Sequence, residues 1–163
     1  MRRDKTVATW LAIVAGALGL HRFYLHGWRD KAGWLFPLPT LLGVLGVLRM
    51  DALGQDDRLA WALIPLLGIT LSAAMLGAIV VALTPDERWA ARFGQPARAT
   101  RWGPVLGAIV ALLVGATVLM STVAFGIQKL FEWQLEAAAA AAAAAAQAPA
   151  SALVLSPARR STT

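Results

Sequence analysis

The chain has 163 residues, of which 58% are hydrophobic and only 15% charged, with a net charge of +6. A soluble domain is about half apolar and about a quarter charged, so composition argues against a soluble globular fold. The absence of cysteine excludes disulfides, thiolate metal sites and a cysteine nucleophile. The charges are also segregated: no Asp, Glu, Lys or Arg lies between Lys5 and Arg22, Lys31 and Arg49, Arg58 and Asp86, or Arg101 and Lys129. One charge at the centre of a spanning helix costs roughly 2.5–3.5 kcal/mol on insertion scales. Four charge-free windows therefore predict an all-α membrane protein with four transmembrane helices, a hairpin followed by a second helical pair. The basic residues sit at the window ends, where they anchor spans and attract anionic headgroups. The expected partner is the lipid bilayer and not nucleic acid.

In chain order, Thr6–Leu20 is short, about 23 Å as a helix, and approaches the ~30 Å hydrocarbon core only with His21–Leu25 added. Met1–Leu20 has a basic start but runs straight into His-Arg-Phe-Tyr, without the polar mature start of a cleaved signal peptide. Ala32–Leu48 contains Pro37 and Pro39, which predict a kink or a broken first turn. Leu59–Leu83, with Pro65 early in it, and Trp102–Gln128 are each long enough to span alone. Lys129–Glu136 mixes apolar and charged residues and leads into ten alanines, Ala137–Ala146. Alanine is the best helix former but too weakly apolar to drive a fifth span. The organisation expected is 1–51 as a helical hairpin, 52–130 as a second helix pair, 131–148 as an alanine-rich helical extension, and 149–163, after Pro149, as a disordered tail.

Trp10, Trp28, Trp34, Trp61, Trp89, Trp102 and Trp133 all lie within about five residues of a charged residue at a window edge. Headgroup-level anchoring suits an apolar ring with a polar N–H. Gly103, Gly107, Ala111 and Gly115 recur every four residues and so share one helix face. Small residues at this spacing let helices approach closely in lipid, within the chain or between chains. The chain's general richness in Ala and Gly is the bland alternative.

The densest motif is Gly16-Ala-Leu-Gly19-Leu-His21-Arg22-Phe23-Tyr24-Leu25, at the mouth of the first hairpin. Residues 5–51 resemble the TM-two (two-transmembrane) domain family, in its His-Arg-Phe-Tyr-bearing bacterial form. That family's pattern is a Lys, an apolar helix, Gly-x-x-Gly-x-His-Arg-Phe-Tyr-Leu-Gly, a short turn, a Gly opening a second helix, and a late Asp. Lys5, Gly16, Gly19, His21, Arg22, Phe23, Tyr24, Leu25, Gly33 and Asp51 fit it. The Gly expected after Leu25 is His26, with Gly27 one place later to serve the bend. The resemblance implies a bacterial inner-membrane protein without an established catalytic activity; animal relatives are linked to signalling and phagocytosis.

Read physically, Gly16 and Gly19 let the two hairpin helices approach. Arg22 meets the unsatisfied carbonyls of the first helix end or a lipid phosphate, and Phe23 and Tyr24 suit the interface. His21 and His26 invite a metal or a pH switch, but their spacing of five turns them apart on a helix and no Cys or Glu completes a set. No metal and no cofactor is expected. Asp51 can reach back toward Arg49, or to a basic residue across the bundle on the same side, and lies across the bilayer from Arg22 in a four-span layout. Ser72 and Ser121 have no intramembrane base, so no catalytic residues are assigned. Four spans place both termini on one face with eight basic residues against seven, a near balance that leans to cytoplasmic termini. The expected function is a non-enzymatic membrane interaction or scaffold module that docks another membrane protein or itself. The alternative is a small transporter or channel subunit with proline-broken helices.

Overall fold

The computed structural model describes residues 4–94, 99 and 102–147, and among these every regular element is helical. Helix α1 spans Lys5–Ala15, a 3-10 turn Gly16–Leu18, α2 Leu20–His26, α3 Lys31–Leu35, α4 Pro37–Leu53, α5 Arg58–Leu83, α6 Asp86–Phe93 and α7 Trp102–Gln147. Aspartates start three of them: Asp4, Asp30 and Asp57 each accept from the backbone N–H two residues on, which satisfies donors that a helix N-terminus leaves open. The break that the prolines predict falls at Phe36, between α3 and α4. Pro37 and Pro39 then sit in the first turn of α4, where no N–H is needed. Residues 1–126 form one compact unit and 127–163 another.

Three segments are long and apolar enough to cross a membrane: Lys31–Leu53, Arg58–Leu83 and Trp102–Ala146. The charge-free windows predict four, and the first window makes the difference. Its apolar helix is short, Lys5–Leu18, because Gly19 takes a left-handed φ of 73° that ends it. The chain then doubles back. The Asp4 backbone N–H donates to the Tyr24 hydroxyl at 3.1 Å, whereas one continuous helix would part these residues by about 30 Å. Lys5 Nζ donates to the Thr84 carbonyl at 2.6 Å and pairs with Asp86 at 3.0 Å. Arg92 donates to His26 Nε2 at 2.9 Å. Asp4, Lys5, Tyr24, His26, Thr84, Asp86 and Arg92 are thus gathered at one end of this unit. Arg58 begins the 26-residue helix α5 that Thr84 caps, so it lies at the other end, about 39 Å away.

The core is made of small side chains. Ala12, Met75, Ala78 and Ala111 form one buried cluster, flanked by Ile13 and Ile79. Antiparallel α4 and α5 meet through glycine: a methyl built on Gly43 or Gly46 would come within 2.5 Å of Leu67 or 2.6 Å of Leu63. Gly68 likewise admits Thr122 of α7. In lipid such close packing replaces the hydrophobic effect as the force joining helices. By itself, the second unit shows helix α7 running on through the ten alanines to Gln147, with Lys129 paired to Glu132 at 2.6 Å. The tail expected over 149–163 lies outside the described residues.

The turn at Gly16–Gly19 keeps its polar groups satisfied. Gly19 N–H donates to the Gly16 carbonyl at 2.9 Å, and the Gly19 carbonyl accepts from Arg22 and Phe23. Thr40 Oγ1 donates to the Ala17 carbonyl at 2.7 Å. Replacing Thr40 by Val keeps the shape and leaves the Ala17 carbonyl short of a partner. A loss of about 1 kcal/mol is expected, measured as a lowered thermal midpoint of the purified protein in detergent; an unchanged midpoint would remove Thr40 from the account of the turn.

Candidate functional site

The motif run Gly16–Leu25 makes the 3-10 turn and most of α2, which a short turn, Gly27–Asp30, joins to α3. Gly27, with φ 83°, ends α2 in the place that the missing family glycine leaves open. Asp30 caps α3 through Oδ1, 3.1 Å from the Ala32 N–H, and its Oδ2 accepts from Arg22 Nε at 2.9 Å. One carboxylate therefore starts the next helix and holds the end of the previous one. Arg22, foremost by its hydrogen bond, keeps the Asp30 carboxyl below its ordinary range. Arg22 does not cap the end of its own helix. Phe23 stacks on Trp28 at 5.4 Å and meets Trp34 edge-on at 5.2 Å, while Trp34 Nε1 donates to the Trp28 carbonyl at 3.2 Å. Gly33 makes room for Phe23, since a methyl there would lie 2.6 Å from its ring.

The turn between α4 and α5 repeats this construction 27 residues later. Arg49 Nε donates to Asp57 Oδ2 at 2.8 Å, Asp57 caps α5 through Leu59 N–H at 3.2 Å, and Trp61 Nε1 donates to the Gln55 carbonyl at 2.6 Å. Gly54 takes φ 91° where Gly27 takes 83°. The correspondence runs through Gly16 and Gly43, Leu18 and Leu45, Gly19 and Gly46, Arg22 and Arg49, Gly27 and Gly54, Asp30 and Asp57, and Trp34 and Trp61. Sequence reasoning missed this repeat, although the spacing Gly-x-x-Gly-x-x-Arg-x4-Gly-x2-Asp-x3-Trp was there to be found. It also corrects Asp51. Arg49 engages Asp57 across the turn and not Asp51, because residues two apart on a helix do not face each other.

Shared positions are what a hairpin joint needs; the rest distinguish the first copy. His21, Phe23, Tyr24, His26 and Trp28 stand where the second copy has Leu48, Met50, Asp51, Leu53 and Gln55. His21 is 5% exposed, edge-on to Phe36 at 5.7 Å, with Nδ1 lacking a hydrogen-bond partner. Leu25 is buried beside it in the same helix. Only the nitrogen of an Arg can donate in the Arg92–His26 contact, so His26 Nε2 accepts and its Nδ1 faces Asp30 at 3.7 Å. Burial first, and Arg92 second, push His26 below its ordinary value of 6.5. No group of three or more His, Cys, Asp or Glu placed to hold a metal occurs among the described residues.

Gly16 and Gly19 turn out to serve different neighbours. Gly19 abuts the Gly33 carbonyl across the hairpin, and Gly16 abuts Ala74 of α5. The stripe on α7 faces inward: methyls on Gly103, Gly107 and Gly115 would lie 2.8 Å from Thr6, 2.7 Å from Thr9 and 2.7 Å from Met75, and Ala111 is fully buried. The chain itself occupies that face. Of the tryptophans, Trp28, Trp34, Trp102 and Trp133 are well exposed, Trp10 less so, and Trp61 and Trp89 are half-buried. Trp89 packs on Phe93 at 4.6 Å within α6.

Together these features define a protein whose described residues are all-helical with candidate membrane spans, and whose N-terminal third carries the short helices α1 to α3 and most of α4. That third, residues 1–51, matches the sequence model of the TM2 domain. No curated protein and no solved structure matches the chain.

Two predictions follow from the packing and the carboxylates. Gly107→Leu forces a side chain into Thr9, so it should destabilise the monomer itself by about 1–3 kcal/mol or more, read as loss of folded protein in detergent; an unaffected fold would mean that α7 and α1 do not touch there. Asp30 and Asp57 are both held below their ordinary 3.8, chiefly by hydrogen bonds from Arg22 and Arg49. Depressed folded-state values give stability that is full above the unfolded pKa and is lost as pH falls through the folded one. Acidification from about pH 5 to about pH 3 should lower the melting midpoint of the wild type more than that of the double variant Asp30→Asn, Asp57→Asn. Equal pH dependence in the two proteins would refute the pairing.

Proposed function

We propose that this TM2-domain membrane protein is a non-enzymatic interaction module that binds another membrane helix, from a partner protein or a second copy, along the outward side of α7. The observation that carries this reading is how little of α7 the chain uses: 6% of its membrane window is buried, against 39% for α5. Its inner stripe is filled by α1 and α5, whereas Leu112, Leu113 and Met120 are left bare. Among the described residues, the Arg22–Asp30 and Arg49–Asp57 ion pairs join helix ends across turns. Buried Thr9, Thr40 and Thr70 spend their hydroxyls on backbone carbonyls. That economy suits a rigid scaffold better than a path for polar cargo.

The second reading, a small transporter or channel subunit, draws on the broken first helix and the repeated turn, since inverted repeats and broken helices build transporter sites. Two experiments separate the readings. A photo-crosslinker at Leu113 or Met120 in native membranes should yield a discrete protein adduct, and adducts to lipid alone would sink the interaction reading. Purified protein in liposomes should pass no ions or small solutes above protein-free controls; flux that depends on the protein would favour transport.

A further inference from the structure

We infer that residues 5–26 enter and leave the membrane on one face, as a re-entrant hairpin, so that the chain up to residue 126 crosses three times and not four. The face bearing Lys5 is then the cytoplasmic one, laid against the anionic leaflet.

Geometry comes first. Lys5 touches Thr84 and Asp86 at the end of α5, Asp4 touches Tyr24, and His26 touches Arg92 of α6. A first helix that crossed fully would put Lys5 beside the start of α5, at Arg58. Instead it lies one whole spanning helix away from there. The direction of α7 agrees: Gly103 and Gly107 lie against Thr6 and Thr9 in that order, while Gly115 and Thr122 descend past Met75 and Gly68 of α5. Helices α1 and α7 thus start from the same face.

Length and hydrogen bonding make such a dip tolerable. Lys5–Leu18 reaches only about 21 Å as a helix, short of the ~30 Å core. Non-helical backbone at membrane depth survives only where protein buries it. Gly16 and Gly19 are buried, and the Ala17 carbonyl receives Thr40 Oγ1.

Charge supplies an independent argument. Among the described residues up to 126, Lys5, Arg22, Arg29, Lys31, Arg88 and Arg92 fall at the Lys5 end, and Arg49 and Arg58 at the other. On these same eight residues a four-span layout divides three against five, and placing Lys5 with Arg22 sharpens this to six against two, which sets the orientation. Basic residues near short loops stay cytoplasmic, and exposed Arg29, Lys31 and Arg88 then meet anionic headgroups.

The chain lacks cysteine, so single-cysteine variants report cleanly. Arg3→Cys, Arg29→Cys and Gln55→Cys would be treated with a membrane-impermeant maleimide in sealed vesicles of known sidedness. Glu87→Cys reports the same face as Arg29→Cys should that variant express poorly. Arg3→Cys and Arg29→Cys should label only from the cytoplasmic side, and Gln55→Cys only from the opposite side. Arg3→Cys grouping with Gln55→Cys would overturn the re-entrant hairpin in favour of four crossings. Arg3→Cys and Arg29→Cys labelling together from outside would overturn the orientation.

Discussion

The contact on which the rest depends is an aspartate shared between two helices. Asp30 caps α3 and takes the Arg22 guanidinium from α2; Asp57 caps α5 and takes Arg49 from α4. Each carboxylate is used twice, once to start a helix and once to fix the angle at which the preceding chain arrives. The ion pairs are partly exposed, so their Coulomb energy is modest. Their value is geometric, because in lipid the helices have no hydrophobic reason to prefer one another. Once the turns are set, glycine contacts such as Gly43 on Leu67 and Gly46 on Leu63 can form in only one register.

The same economy explains the first helix. A chain that reverses at Gly16–Gly19 exposes backbone polar groups where no water is available. The structure meets that cost locally, with the Gly19–Gly16 bond and the Thr40 hydroxyl on Ala17, and it buries the turn against α5 through Gly16 and Ala74. The glycine pair of the motif is thus required by a reversal, not merely by two helices lying close. Its copy in α4, Gly43 and Gly46, sits within a continuous helix and serves packing alone. One motif takes two backbone forms because Gly19 adopts the left-handed region and Gly46 does not.

Much of this was legible in the sequence, and the misses are physical ones. The charge-free windows located the apolar helices, Pro37 and Pro39 located the break at Phe36, and Gly27 stood ready to replace the family's glycine. The inward placement of Gly103, Gly107 and Gly115 could not be read, because a small-residue stripe has the same spacing whichever partner fills it. The reversal of the first window was hidden because charge absence records hydrophobicity and not direction. Its clue was length, since Thr6–Leu20 needed His21–Leu25 added before it could approach the thickness of a bilayer. The ties between Lys5 and Thr84 and between His26 and Arg92 join residues 79 and 66 apart, beyond the reach of periodicity.

The repeat sharpens what the conspicuous motif means. Had the first copy stood alone, Gly16, Gly19, Arg22, Asp30 and Trp34 would rank with His21 and Tyr24 as candidates for a site. The second copy reproduces the former and drops the latter, so the former are explained by folding. What remains is His21, buried with Nδ1 unpartnered, Tyr24 bonded to Asp4, and His26 held between Arg92 and Asp30. Tyr24 and His26 bind the joint to the segments before and after it, to the start of α1 and to α6. Tyr24 and His26, which set the first turn apart, therefore act as fasteners that draw the N-terminal hairpin and α6 to one end of the bundle.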